Sequence, residues 1–467
     1  MVAAAVVVAA TVVAALAACG GGGGSTTGEA AGKPAAKQVL TIAWGAEPPS
    51  LDPGLATDTT SSNVLLNIMD PLVRLGPNLE PVPALAKSWD VNGKVVTFHL
   101  RDDGRWTNGD PVTAGDFEYS WKRTLSPALA ADYAYQLYGI VGAEKYNQCK
   151  SNCDTLRDAV GVKALDDRTL EVRLTSEQPW FIQQAAHHSF LAVHRATVEK
   201  YGDKWTEPGN IVTNGAFKLA GWQHDATLTL VKNQDWRNAD QVALDRVDGK
   251  IIVDGTTRVQ AFEAGEVDVL DGAGLPTQDM PRLKQLPEYE SYPALGTYYY
   301  GFNLKNIPDL NQRRAMAFAI DRQSLIDNVA QADQIPATGM VPEGMPGFDV
   351  IEQSFLPVRA DLAKAKEYMA KAVNPKMKVT LYHNDAPGHK EIAVAVQSMW
   401  KKLGISTTIK SQEWAQYLEF LGPPPSNSVD TYRLGWIGDY VDPMNFLELW
   451  TCNSGNNNTN FCDKRYD

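Results

Sequence analysis

Between Tyr432 and Pro443 the chain reads Tyr-Arg-Leu-Gly-Trp-Ile-Gly-Asp-Tyr-Val-Asp-Pro. This is a strand pattern that ends in a turn at Asp442-Pro443. Side chains alternate along a strand, so Arg433, Gly435, Ile437 and Asp439 share one face, while Leu434, Trp436 and Tyr440 take the other. The first face has a cation at one end and an anion at the other, roughly 20 Å apart along an extended chain. Those charges are too far apart to pair, but they could bracket an extended zwitterion. Gly435, between them, lets a second backbone approach. A plainer reading stands beside this one: Asp439 caps the turn and Arg433 is solvated.

At 467 residues the chain exceeds what one core serves, and two or three lobes are expected. The net charge of -12 argues against nucleic acid as a partner. Of five cysteines, Cys19 stands alone behind an apolar run. Cys149 and Cys153 flank three residues, and Cys452 and Cys462 flank an Asn-rich loop. Two local disulfides suit an exported protein. A metal site at Cys149 and Cys153 lacks further ligands nearby in sequence.

Residues 2–18 are apolar, rich in Ala and Val, and end Leu16-Ala17-Ala18-Cys19-Gly20. That ending resembles a bacterial lipobox, whose cysteine is lipidated after export, although no Lys or Arg precedes the run. Gly20–Gly24 opens a flexible tether. Further on, strands are expected at Val39–Trp44, Val95–Leu100, Val379–Tyr382 and Ser406–Ile409. Helices are expected at Ser61–Met69 (capped by Ser61 or Ser62), Arg313–Ala330, Arg359–Ala372 and Glu391–Leu403. There is no Gly-x-Ser-x-Gly, His-Glu-x-x-His or phosphate-loop pattern, so no enzyme is expected. His187-His188 reads as packing or surface rather than as metal ligands, and neither a metal nor a cofactor is expected.

An ordered series of motifs then carries a resemblance. It includes Thr97-Phe98-His99-Leu100-Arg101, Trp106-Thr107-Asn108-Gly109, Val160 to Leu170 and Ile211 to Leu219. Ala264-Gly265-Glu266-Val267-Asp268, Ala319-Ile320-Asp321-Arg322, Gln412-Glu413-Trp414 and Gly435 to Pro443 continue it. Together they resemble the oligopeptide- and dipeptide-binding proteins that serve ABC importers, with the oligopeptide branch nearer. The resemblance implies an α/β fold of the two-lobed periplasmic-binding-protein type (type II, large peptide-binding class), with an extra domain beside the first lobe. It divides the chain into a leader at 1–19, a tether at 20–38, lobe I at 39–59 and 189–295, an extra domain II at 60–188 and lobe III at 296–467. Relatives run on past the point matching Asp467 and return to lobe I, so the chain is expected to be a fragment.

The same resemblance implies a short peptide lying between a strand near Glu47 and the strand Arg433–Asp439. Asp439 aligns with the residue that holds the peptide amine, and Arg433 and His389 with residues used for the carboxylate. Tyr298, Tyr299, Trp414 and Trp436 resemble residues of roomy side-chain pockets, with Tyr135 and Tyr138 as weaker candidates. Ala330 stands where some relatives have an assisting lysine. Gly296 and Ile437 stand where a relative has a disulfide. The implied partners are a peptide, the permease subunits of an ABC transporter and, through lipidated Cys19, the outer face of the cell membrane; the protein is expected to be a monomer. A receptor of the same fold for an oligosaccharide, an opine or chelated nickel, or a peptide-signal sensor, is the alternative.

Overall fold

The computed structural model describes residues 38–271, 274–292, 294–350, 355–422 and 425–467. Cys19 and the Gly20–Gly24 tether lie outside the described residues.

Three main sheets organise the chain. In lobe I the strand Val39–Trp44 lies between Val269–Leu270 and Arg246–Ile251, parallel to both. Thr227–Lys232 and Phe217–Gln223 then extend the sheet antiparallel. Its core joins Trp44, Leu51, Phe217 and Leu230 to Val64, Leu65 and Ile68 of the helix Thr59–Ile68. The helix Thr59–Ile68, counted with domain II in the sequence division, thus packs on the lobe I sheet. The helix also starts earlier than its serines suggested. Asp58 is its N-cap, because its carboxylate accepts the Ser61 N–H.

Domain II is an antiparallel sheet, Ala86–Asn92, Val95–Leu100, Thr169–Arg173 and Val162–Asp166, covered by the helix Ala114–Thr124. Val95–Leu100 alternates strictly, burying Val96, Phe98 and Leu100. The helix begins with a capping box between Thr113 and Asp116. Cys149 and Cys153 are disulfide-bonded, with Cα atoms 5.7 Å apart.

In lobe III the strand order is Gly296–Phe302, Thr431–Ile437, Lys378–Asn384, Ser406–Gln412. The helices Leu310–Phe318, Leu362–Lys371 and Pro387–Lys401 belong to this lobe. The continuous helix expected over Arg313–Ala330 is instead interrupted after Phe318, where Asp321 caps a new turn by accepting the Ser324 N–H. Beyond the sheet, a Cys452–Cys462 disulfide closes the Asn-rich loop. Asn456 of that loop donates to the Tyr135 hydroxyl of domain II at 3.3 Å.

Candidate functional site

All three domains wall a cavity of about 1350 Å³. This is larger than the roughly 300–1,000 Å³ of an ordinary small-molecule pocket. Its most informative wall is one edge of the lobe III sheet. Thr431–Ile437 pairs with Gly296–Phe302 along its whole length, but with Lys378–Asn384 only at Thr431 and Tyr432. The two strands then separate around Tyr417. This buried hydroxyl reaches the carbonyls of both Tyr382 (3.1 Å) and Arg433 (2.7 Å). From Arg433 to Ile437 the strand therefore has no sheet neighbour on that side.

Which backbone groups face this free edge follows from parity. The Gly438 N–H donates to Leu295 on the Gly296–Phe302 side, whereas the Arg433 carbonyl points the opposite way, to Tyr417. In an antiparallel ladder alternate residues turn both backbone groups to the same side. The N–H and C=O of Gly435 and Ile437 thus face the open edge. Burial alternates as expected, with Leu434 and Trp436 buried and Gly435 and Ile437 exposed. A Cβ on Gly435 would meet nothing closer than 3.8 Å, so the space beside it is open.

At one end of the strand, Arg433, Tyr298 and His389 come together. The Arg433 guanidinium lies 4.4 Å from the centre of the Tyr298 ring and donates to Asn384 Oδ1 at 3.0 Å. The Tyr298 hydroxyl is 3.4 Å from His389 Nδ1. Burial first, and then the charge of Arg433, hold the His389 imidazole well below its usual range. His389 is therefore neutral, and Arg433 carries the positive charge.

Asp439 lies two residues past the strand's end, and its carboxylate turns toward domain II. Oδ1 is 3.1 Å from His187 Nε2. Oδ2 accepts from Gln136 at 2.6 Å and from Asn445 at 3.2 Å. Burial alone would raise this carboxyl, but the His187 charge and the hydrogen bonds from His187 and Asn445 outweigh it and hold it below the usual carboxylate range. A carboxylate offers about four acceptor sites. Three are filled, which leaves room for one further N–H.

The remaining predicted residues are more dispersed. Trp436 is 8% exposed and donates to Asn445 Oδ1 at 3.0 Å. It helps orient the amide that holds Asp439 and also lines the cavity. Tyr299 packs edge-on against Trp450, with ring centres 5.7 Å apart. Trp414 opens the helix Trp414–Leu421 and lines the cavity. Glu47 turns away from the cavity, because His224 (2.6 Å) and the Asp225 N–H at the Phe217–Gln223/Thr227–Lys232 turn take its carboxylate. Lobe I faces the cavity through several segments, among them Gly45 and Ala46 after its first strand, the stretch Thr57–Asp58 ahead of its first helix, and Arg258. Sequence reading missed Gln136, Asn445 and Tyr417 and gave His187 no ligand role. His188, 4.0 Å from His187 between ring centres, is pushed down to about 3 by burial and is neutral.

A cleft between domains, with a free sheet edge and an opposite charge at each end, defines a solute-binding protein. The chain belongs to the bacterial extracellular solute-binding proteins, family 5, whose profile matches residues 80–458. It is 38% identical over 453 residues to the oligopeptide-binding protein OppA of Bacillus subtilis, covering 92% of this chain and 81% of that protein. The crystal structure of Haemophilus influenzae OppA in complex with RPPGFSPFR superposes with a TM-score of 0.85 at 31% identity, covering 93% and 86% of the two chains. The Escherichia coli murein tripeptide-binding protein MppA gives 0.84 at 32% identity (93% and 86%), and its unliganded open form gives 0.59 over 93% and 85%. The lobes of the present structure are thus arranged unlike that open form.

Proposed function

We propose that the protein binds short peptides laid out along the free edge of Thr431–Ile437 and delivers them to the permease of an ABC importer. The reading rests on one observation above others: an unpaired strand edge inside a cavity walled by three domains. Backbone pairing with Gly435 and Ile437 supplies affinity that does not depend on the peptide's sequence. The peptide ammonium takes the remaining acceptor site of Asp439. Its carboxylate goes to Arg433, whose planar fork suits it. Neutral His389 and Tyr298 add hydrogen bonds there. The relatives named for oligopeptide binding support this reading. Closure is favoured only by the difference in ligand affinity between open and closed forms. Lipidation at Cys19 would hold the receptor at the outer face of the membrane.

Titration calorimetry with tri-alanine and N-acetyl-tri-alanine tests the proposal. The free amine should bind at least tenfold more tightly, and the ligand should be recovered intact. Equal binding of the two, or binding of neither, defeats it.

A further inference from the structure

One charged group in the cavity wall is left without a partner by the contacts described so far. Asp58 stands ahead of the first lobe I helix with extended backbone (φ -131°, ψ 161°) and is 6% exposed. Its Oδ1 caps the helix, accepting the Ser61 N–H at 3.0 Å. Its Oδ2 is buried, and the neighbouring Trp414 indole does not meet it with the geometry of a full hydrogen bond. Among the described residues no Lys, Arg or His forms an ion pair with it. Burial pushes the carboxyl up, and the bonds from Ser61 and Thr60 together with the Trp414 indole oppose this only in part. Trp414 reaches this carboxyl from lobe III, across the cavity.

Asp58 lies at the end of the cavity assigned to the ligand's amine. Two residues before it, the Ala56 carbonyl is 2.9 Å from His188 Nε2. His188 packs on His187, which binds Asp439. The Tyr133 ring lies 5.3 Å from His187 and 5.7 Å from His188. Asp132, just before Tyr133, also lines the cavity, where it is exposed. Among the described residues this end therefore holds the buried Asp58 and Asp439 and the exposed Asp132, with His187 as the candidate cation, since His188 is neutral. An α-ammonium at Asp439 would leave the buried Asp58 carboxyl unanswered. Capping does not account for a carboxylate at position 58, because Asn caps a helix equally well. What Asp adds is charge.

We propose that Asp58 is a specificity-determining residue that takes the cationic side chain of a lysine or arginine in the first two positions of the bound peptide, with the Trp414 ring beside it. The inference rests on the peptide-binding reading above. A charge-assisted hydrogen bond in a dehydrated site, flanked by an indole, favours such a cation over an apolar side chain of the same length.

The test is calorimetry with Lys-Ala-Ala and Ala-Lys-Ala against the same peptides carrying norleucine for lysine, on the wild-type protein and on Asp58→Asn. The wild type should prefer lysine at least tenfold, about 1.4 kcal/mol, at one of the two positions. Asp58→Asn should lose that preference while binding the norleucine peptides like wild type, and its melting temperature should stay close because the cap survives. Norleucine peptides bound as tightly as lysine peptides at both positions, or a lysine preference that survives in Asp58→Asn, would overturn the inference and leave the peptide reading standing. Wild-type protein that binds none of the four would overturn both.

Discussion

His187 Nε2 and Asp439 Oδ1 are 3.1 Å apart, with both side chains about nine-tenths buried. The pair ties domain II to lobe III at one end of the cavity, and Gln136 of domain II adds a second bond to the same carboxylate. Domain II is thus more than an appendage of lobe I. It supplies two of the three side chains that fix the orientation of the anion proposed to meet the ligand's amine.

Asp439→Asn should remove the preference for a free over an acetylated amine. Truncating one member of a buried charge pair typically costs about 2–5 kcal/mol, so affinity for tri-alanine should fall by about 30-fold or more. The carboxyl is depressed in the folded state, so its stabilisation is complete above its ordinary value of 3.8 and is lost as pH falls through the folded value. Wild type should therefore lose more stability than the variant on acidification below pH 4. Chemical denaturation at pH 3 and pH 6 reads the difference; equal losses would count against the pair.

Gly435→Ala separates folding from binding. A methyl group there meets no protein atom closer than 3.8 Å, and the variant should melt at or slightly above wild type, because alanine restricts the unfolded chain more than glycine does. Affinity for any extended peptide should nevertheless fall about tenfold, since the methyl occupies the space a second backbone needs. Unchanged affinity would mean that the ligand does not run along this edge.

What could be read in the sequence was whatever one strand decides for itself. The alternation that puts Arg433, Gly435 and Ile437 on one face is a period of two, legible without knowledge of any neighbour. The free edge is not legible. It depends on Tyr417 meeting Tyr382 and Arg433 from three separate segments. The Asp439 partners were equally hidden, since Gln136 is 303 residues away and neither it nor Asn445 belongs to a local motif. The adjacent histidines read as packing or surface because nothing in their surroundings pointed to an acid. Glu47 shows the opposite error. Its neighbours Gly45, Ala46 and Pro49 line the cavity, but the turn at His224 and Asp225 captured its side chain.

Arg433→Lys tests the other end of the strand. Lysine keeps the charge but loses the planar fork and the stacking on Tyr298. Affinity for tri-alanine should fall about tenfold, while affinity for its C-terminal amide should change little. If free acid and amide lose equally, Arg433 does not meet the ligand's carboxylate.

Glu448 gives the fold a pH dependence of opposite sign. Burial raises its carboxyl from 4.5 to about 8, and the charge of nearby Asp439 adds to this, while hydrogen bonds from the Tyr440 hydroxyl at 2.8 Å and from Asn445 only partly oppose it. Between those values the folded protein holds a proton that the unfolded chain has released. The stabilisation is therefore complete below 4.5 and is lost as pH rises through about 8. Glu448→Gln keeps an acceptor for Tyr440 but never ionises. Urea unfolding should find the variant close to wild type at pH 5 and more stable by ~1 kcal/mol or more at pH 9. If the two proteins differ by the same amount at both pH values, Glu448 does not hold a proton in the folded state.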